Sequence, residues 1–343
     1  MTETLRSKLA GTVPIRRAAI KSLATFVPPR LLTNADLEKL VETTDEWIMQ
    51  RTGIRERHIV DPGVATSDLA KEAALEAISR AGLTPPDIDL IIVGTVTPDM
   101  LFPSTACLLQ HKIGASRAWG FDVSAACSAF AYSLTVGSQL IAAGSARYAL
   151  IVGADVMSSI LDYTDRTTCV LFGDGAGAVV LGASADNSAG VIDFDHEIDG
   201  SGGAALCMPA GGSLRPASHE TVDQRLHYVK QEGQTVFKFA VRRTGDLCDR
   251  LLQRNGVTAA DIDLFVSHQA NRRIIEAVAD RIGVDRSKVN INIERFGNTT
   301  AGTIPLALND AVEGGRLKKG DLVLVASVGA GFTVGAILLR WAY

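Results

Sequence analysis

A chain of 343 residues, 47% of them hydrophobic and with a formal charge of −4, holds enough apolar material for a large core and lacks the profile of a disordered polypeptide. Its charges are scattered, so neither a nucleic-acid footprint nor a polybasic membrane anchor is expected. The longest apolar runs, Tyr148 to Gly153 and Leu322 to Val328, fall far short of the roughly 20 residues that span a bilayer. At roughly 100–200 residues per domain, the length allows two domains or one doubled architecture.

Residues 1–14 carry Arg6 and Lys8 but no apolar run, so they are expected to be an N-terminal extension and not a secretory signal. The first strong helix pattern is DLAKEAALEAISRAG, ending at Gly82, followed by a Thr-led turn and the apolar strand LIIVGTV. The segment from Phe121 to Tyr132 passes from a strand through small residues into a helix. A second apolar strand, YALIVGADV, begins at Tyr148. These runs are nearly continuous instead of alternating, as expected for strands buried on both faces by helices.

The pattern then recurs. RAGLTPPDIDLIIVGTV, from Arg80 to Val96, matches RNGVTAADIDLFVSHQA, from Arg254 to Ala270, and the strand around Leu150 matches that around Leu324; both intervals are 174 residues. Two matches at one interval point to a duplicated α/β unit. The expected body is a layered αβαβα fold with halves at 15–187 and 188–343.

Five cysteines, odd in number and without CxxC spacing, oppose a disulfide framework or a zinc site and suit a reducing cytoplasm. Cys127 is placed near a helix N-terminus, where unpaired amides and the helix dipole favour a thiolate. Cys107, Cys169, Cys207 and Cys248 read as small core hydrophobes. His268 follows the strand of the second repeat, at the carboxyl end where α/β sheets build their sites, whereas His58, His111, His196, His219 and His227 lie in polar, turn-rich or helix-surface surroundings and read as satisfied core or capping residues. Asn298 lies in a small-residue turn that the repeat equates with the one bearing Cys127, and Gly329 to Phe332 form a turn able to present backbone N–H groups to an oxyanion. Taken singly, each has a bland alternative: a buried thiol, a satisfied core imidazole, a helix cap. The order Cys, His, Asn, with 141 residues between Cys127 and His268, also describes papain-like proteases, but their Cys-Gly-Ser-Cys-Trp setting is missing.

Over nearly all of its length beyond the first ~15 residues, the chain resembles the β-ketoacyl-acyl-carrier-protein synthase III family of the thiolase superfamily. The resemblance rests on TNADLEKLVETTDEWIMQRTGIRERHI, FPSTAC, DVSAACSAF, DRTTCVLFGDGAGAVVL, VFKFAV, HQAN and GNTTAGTIPLAL. It implies a thiolase-like duplicated αβαβα fold of five layers, a nucleophile at Cys127, and His268 and Asn298 as its catalytic partners. It further implies an oxyanion hole from the N–H groups of Cys127 and Ala330, coenzyme A binding by Trp47, Arg51 and Arg166, with Trp47 and Arg166 sandwiching the adenine, and an acyl pocket of Phe102, Met157 and Val328. Phe102 is the residue a partner subunit would insert, so a homodimer is implied. Lys238, Arg273 and Arg281 match a patch for acyl carrier protein, weakened by Asp280. Acyl-CoA and malonyl-acyl-carrier protein are substrates, and no metal or cofactor is expected.

The chain departs from the family at Val328, where a phenylalanine is common, and in TTAGT after Asn298, where TSAAS is usual. The first change is expected to admit a primer other than, or broader than, acetyl. A synthase initiating fatty-acid biosynthesis is the leading reading. A secondary-metabolic condensing enzyme or acyltransferase of the same superfamily, a thioester hydrolase and a non-catalytic acyl-binding homologue are the alternatives.

Overall fold

The computed structural model describes residues 16–343; the expected extension at 1–14 lies outside them. Strand β1 (Ala18–Phe26) is followed by helices α1 (Asp45–Thr52) and α2 (Thr66–Arg80), strand β2 (Leu90–Gly94), helix α3 (Thr105–Ile113), strand β3 (Trp119–Val123), helix α4 (Ala129–Ala142) and strands β4 (Tyr148–Asp155) and β5 (Gly175–Ala183). The five strands form one sheet in the order β1-β5-β4-β2-β3. Strand β6 (Gly190–Ile198), helix α5 (Gly233–Arg254), strand β7 (Leu264–Ser267), helices α6 (Arg272–Ile282) and α7 (Thr303–Glu313), and strands β8 (Leu322–Gly329) and β9 (Thr333–Arg340) follow. Their sheet has the order β7-β8-β9-β6.

The two sheets repeat one plan. In each, a parallel pair (β2 with β4, β7 with β8) is extended by two antiparallel strands. Even the joints match: Asp89 accepts the N–H of Tyr148 at 3.1 Å, and Asp263, one repeat later, accepts that of Leu322 at 2.8 Å.

Layering follows from the apolar runs. Along β4, Ala149 and Ile151 pack on the inner side while Leu150 and Val152 pack on the outer side. Along β8, Val323 and Val325 point inward and Leu322 and Leu324 outward. Both faces of each sheet therefore need a helical cover. Helix α2 supplies one, with Leu69, Ala70, Ala73, Ala74, Ala77 and Ile78 buried at helical spacing and Asp68 accepting the Ala65 N–H at 3.0 Å. Helices α5 and α6 cover the second sheet. Between the sheets lie α4 and α7, whose Phe130, Leu134, Ile304 and Leu308 are fully buried. Five layers result, α2/α3, sheet, α4/α7, sheet, α5/α6, as the duplicated sequence predicts.

His196 has the structural place expected of it, and its ring faces the interior. It sits on β6, which turns Asp193, Asp195 and Glu197 toward Arg254, Arg250 and Arg243 of α5. Its own ring faces inward, 4.4 Å from Tyr132 and with Nε2 2.8 Å from Thr135 Oγ1. Burial pushes its pKa from 6.5 down to about 4. The unfolded chain therefore takes up this proton first, so the ring contributes stability above pH 6.5 that is lost as pH falls toward 4. Urea unfolding at a series of pH values should show a slope in that window, with His196 supplying at most about 1.4 kcal/mol per pH unit. His196→Gln is expected to flatten the slope; an unchanged slope would refute the assignment.

Candidate active site

Strand β3 ends at Val123, and the chain passes through one tight turn, Ala126–Ser128, into α4. Ala126 takes a left-handed conformation there, φ 49°, and Cys127 follows it, 6% exposed. No side chain caps the start of α4, so its first amides are left without a side-chain acceptor. Sequence position alone favours a thiolate; burial reverses that for the resting residue. Desolvation, with the negative Asp155 nearby, pushes the Cys127 thiol from 9.0 up to about 12. Near neutral pH Cys127 is therefore the thiol.

The second repeat builds its side in the same way. His268 continues the parallel ladder beyond β7, its N–H bonded to Ala326 O at 2.8 Å. The imidazole is 2% exposed, and burial lowers its pKa to about 3, so it is neutral. Nδ1 pairs with Thr303 Oγ1 at 2.7 Å. Asn298 is held by its N–H to Leu171 O at 2.9 Å and by Gly173 N–H to its own carbonyl at 3.1 Å. Its Oδ1 accepts the Thr300 N–H at 2.9 Å, which identifies the oxygen and leaves Nδ2 as the donor available to the cavity. Thr300 has φ 50°, the counterpart of Ala126.

Cys127, His268 and Asn298 line one cavity of about 240 Å³, which runs outward past Phe237 and Arg51 to Trp47. Among the described residues no hydrogen bond joins His268 to Asn298; each has a separate holder. The protease arrangement, in which an amide orients the imidazole, is therefore not what is built here. Gly329 matters at this point because a Cβ there would lie 2.8 Å from the Cys127 nitrogen. Cys127 also borders a second cavity of about 130 Å³, lined by Met157, Ala330 and apolar residues including Val96, Ile160 and Val229.

Several expected positions shift. Val328 lines the entrance cavity and not the side cavity, because β8 turns it toward the His268 side; its reduced bulk widens the way in and not the acyl end. Phe102 borders neither cavity and is 83% exposed, beside the exposed Met100 and Leu101. The Arg166 guanidinium lies 5.4 Å from the Trp47 ring centre and donates to Glu42 O at 2.8 Å. A flat base between them needs about 3.5 Å on each face, so the two side chains touch each other and would have to part. Arg51 borders the cavity as expected. Lys238 is exposed on α5, and Arg273 lies 5.7 Å over the ring of Phe237 at the cavity mouth. Arg281 is instead committed to Asp246 at 2.5 Å, and Asp280 to Arg286 at 2.6 Å.

Of the other cysteines, Cys169 and Cys248 are buried as core hydrophobes should be, while Cys107 is exposed and Cys207 half-buried on the side cavity. Three residues to which the sequence analysis gave no role support the site: Thr300 and Thr303, within the TTAGT run after Asn298, and the fully buried Asp155. The repeat carries a signal for the last, since Asp155 is one interval before Gly329. Among the described residues no group of His, Cys, Asp and Glu could hold a metal ion, and no helix is long and apolar enough to cross a membrane.

Two like sheets enclosing paired central helices, with a cavity where those helices begin, define the thiolase-fold class of condensing acyltransferases. Residues 121–200 match the family described as 3-oxoacyl-[acyl-carrier-protein (ACP)] synthase III, and residues 252–341 match its C-terminal counterpart. A beta-ketoacyl-[acyl-carrier-protein] synthase III of Solibacter usitatus is 61% identical over 329 residues, 95% of this chain and 99% of its own. The protein of the same description from Koribacter versatilis is 58% identical over 330 residues, 96% and 99% of the two chains. The crystal structure of 3-oxoacyl-[acyl-carrier-protein] synthase III from Aquifex aeolicus superposes with a TM-score of 0.87 at 41% identity, covering 94% of this chain and 100% of that one. The chain belongs to the β-ketoacyl-acyl-carrier-protein synthase III family, acyltransferases of fatty-acid biosynthesis.

The thiol state of Cys127 is open to direct test. Its alkylation by iodoacetamide, read by mass spectrometry against Cys127→Ala, should keep rising with pH between about 6 and 9, because the thiolate alone reacts. A plateau with a midpoint near neutrality would mean that the helix amides outweigh burial.

Proposed function

We propose that Cys127 is the nucleophile of a decarboxylative Claisen condensation, taking an acyl group from acyl-CoA and passing it to malonyl-acyl-carrier protein. The observation that supports this most is the convergence of Cys127, a neutral His268 and a free Asn298 amide on one cavity. In the first step Cys127 sulfur replaces the sulfur of CoA on the acyl carbonyl, and its proton leaves with CoA as the free thiol. In the second, the malonyl carboxylate departs as CO₂ and its electron pair passes into an enolate whose oxygen accepts hydrogen bonds from His268 Nε2 and Asn298 Nδ2. The enolate carbon attacks the acyl carbonyl. The N–H groups of Cys127 and Ala330 hold the oxyanion until it collapses, releasing a β-ketoacyl carrier and the Cys127 thiolate, which takes one proton from solvent to regain its resting thiol. The sequence balances without a metal or redox group.

The entrance cavity suits the pantetheine arm, with Arg51, Trp47 and Arg166 toward the nucleotide, the last pair parting to admit the adenine. Lys238 and Arg273 at the mouth would meet an acidic carrier, and Arg281 would join them by exchanging its Asp246 partner. The side cavity takes the acyl chain against Met157. The exposed run Met100, Leu101, Phe102 favours a homodimer in which each subunit's Phe102 reaches its partner's acyl pocket. The halves 15–187 and 188–343 belong to the same reading, supported by one sheet lying wholly within 18–183 and the other within 190–340. A cytoplasmic setting suits the free thiols.

Incubation with acyl-CoA should add one acyl mass to Cys127 and none to Cys127→Ala. His268→Ala and Asn298→Ala should still acylate but release CO₂ from malonyl-acyl-carrier protein about 10²–10³-fold more slowly. Acylation followed only by free acid would make the protein a hydrolase. A side cavity of about 130 Å³ is slightly smaller than a cavity of about 150 Å³ that takes benzene, so acetyl and isobutyryl primers should outcompete octanoyl, and Met157→Ala should narrow that gap. Octanoyl preference in the parent enzyme would sink the size argument.

A further inference from the structure

We propose that Thr300, anchored by Asp155, is the positioning residue that turns the Asn298 amide toward the cavity, and that Thr303 beside it sets the tautomer of His268. The inference rests on the roles proposed above for Asn298 and His268. Each polar atom of Thr300 has one task. Its N–H donates to Asn298 Oδ1 at 2.9 Å, which turns Nδ2 toward the cavity. Its carbonyl accepts from Thr303 Oγ1 at 2.9 Å, and that oxygen lies 2.7 Å from His268 Nδ1. Its own hydroxyl donates to Asp155 Oδ2, which also takes the Ala301 N–H at 3.1 Å. Asp155 is rigid in turn: Oδ1 accepts from the N–H groups of Val96 and Thr97 and the hydroxyls of Thr95 and Thr97, at 2.8 to 3.1 Å. Thr300 needs such an anchor because a β-branched residue at φ 50° is strained.

The geometry also governs what His268 can do. Thr303 has one hydroxyl proton and two neighbours for it. Directed at the Thr300 carbonyl, it leaves Oγ1 to accept from Nδ1–H, and Nε2 is then bare. Directed at Nδ1, it places the ring proton on Nε2, the donor that an enolate oxygen requires. Thr303 thus sets the imidazole tautomer, with the Thr300 carbonyl competing with Nδ1 for its proton; Thr303 borders neither cavity, whereas Thr300 borders the side cavity beside Cys127.

The test separates the two half-reactions. Thr303→Val, a near-isostere without the hydroxyl, should slow CO₂ release by about 10–10²-fold, with Cys127 acylation and the KM for acyl-CoA within a factor of about two; Thr300→Val, in the wall of the side cavity, should slow CO₂ release by a similar factor. Thr300→Ser and Thr303→Ser should recover most of the loss. The ¹⁵N shifts of His268 should differ between the parent and Thr303→Val, a readout that holds even where the Thr300 variants fold poorly. Equal loss in both half-reactions for Thr303→Val, no loss in either, no recovery by serine, or unchanged ¹⁵N shifts would each overturn the proposal. Failure of the parent itself to acylate or decarboxylate would instead remove the functional reading beneath it.

Discussion

Two helix N-termini meet in a dry interior, and that single constraint organises the site. The turns that open α4 and α7 pack against each other between the sheets, close enough that Ala125, Ala129 and Ala301 form a small apolar cluster of their own. Each turn brings backbone amides that have lost water and need an acceptor. The layered fold exists around this point because strands apolar on both faces demand helices on both, and the inner pair is shared. Larger residues at the alanines would hold the turns apart.

The two halves meet that demand differently. On the α7 side a buried carboxyl group, Asp155, takes the Ala301 N–H and the Thr300 hydroxyl. One repeat later the same strand end carries Gly329, which supplies no acceptor and leaves room beside the Cys127 nitrogen. A duplicated architecture has become one site by filling one turn and keeping the other open. The open turn can respond to charge that forms during a reaction; the filled one keeps its neighbours still.

Much of this was legible in the chain. Continuous apolar runs and the 174-residue interval between Leu150 and Leu324 carried the five layers, because strand burial on two faces is a property of composition along a short segment. Cys127 and His268 could be singled out because each follows a strand, and Asn298 because it lies in the turn that the repeat equates with that of Cys127. What pattern could not carry was the effect of depth and partners. The helix-terminus argument for a Cys127 thiolate omits the cost of burying charge, which depends on tertiary packing. Arg281 reads as a free cation until α5 places Asp246 beside it. Val328 reads as acyl-pocket bulk until the turn of β8 aims it at the entrance. Thr300, Thr303 and Asp155 are common residues whose significance lies in distances across as many as 146 positions of chain.

The depth of Cys127 also bears on its durability. Peroxide attacks thiolates, not thiols, so a sulfur held protonated by burial and by Asp155 is protected chemically as well as sterically while it waits. The exposed Cys107, which accepts a hydrogen bond from the Ser104 hydroxyl at 3.2 Å, is the sulfur that an oxidant in solution meets first. The fold thereby leaves one thiol open to solvent and shelters another.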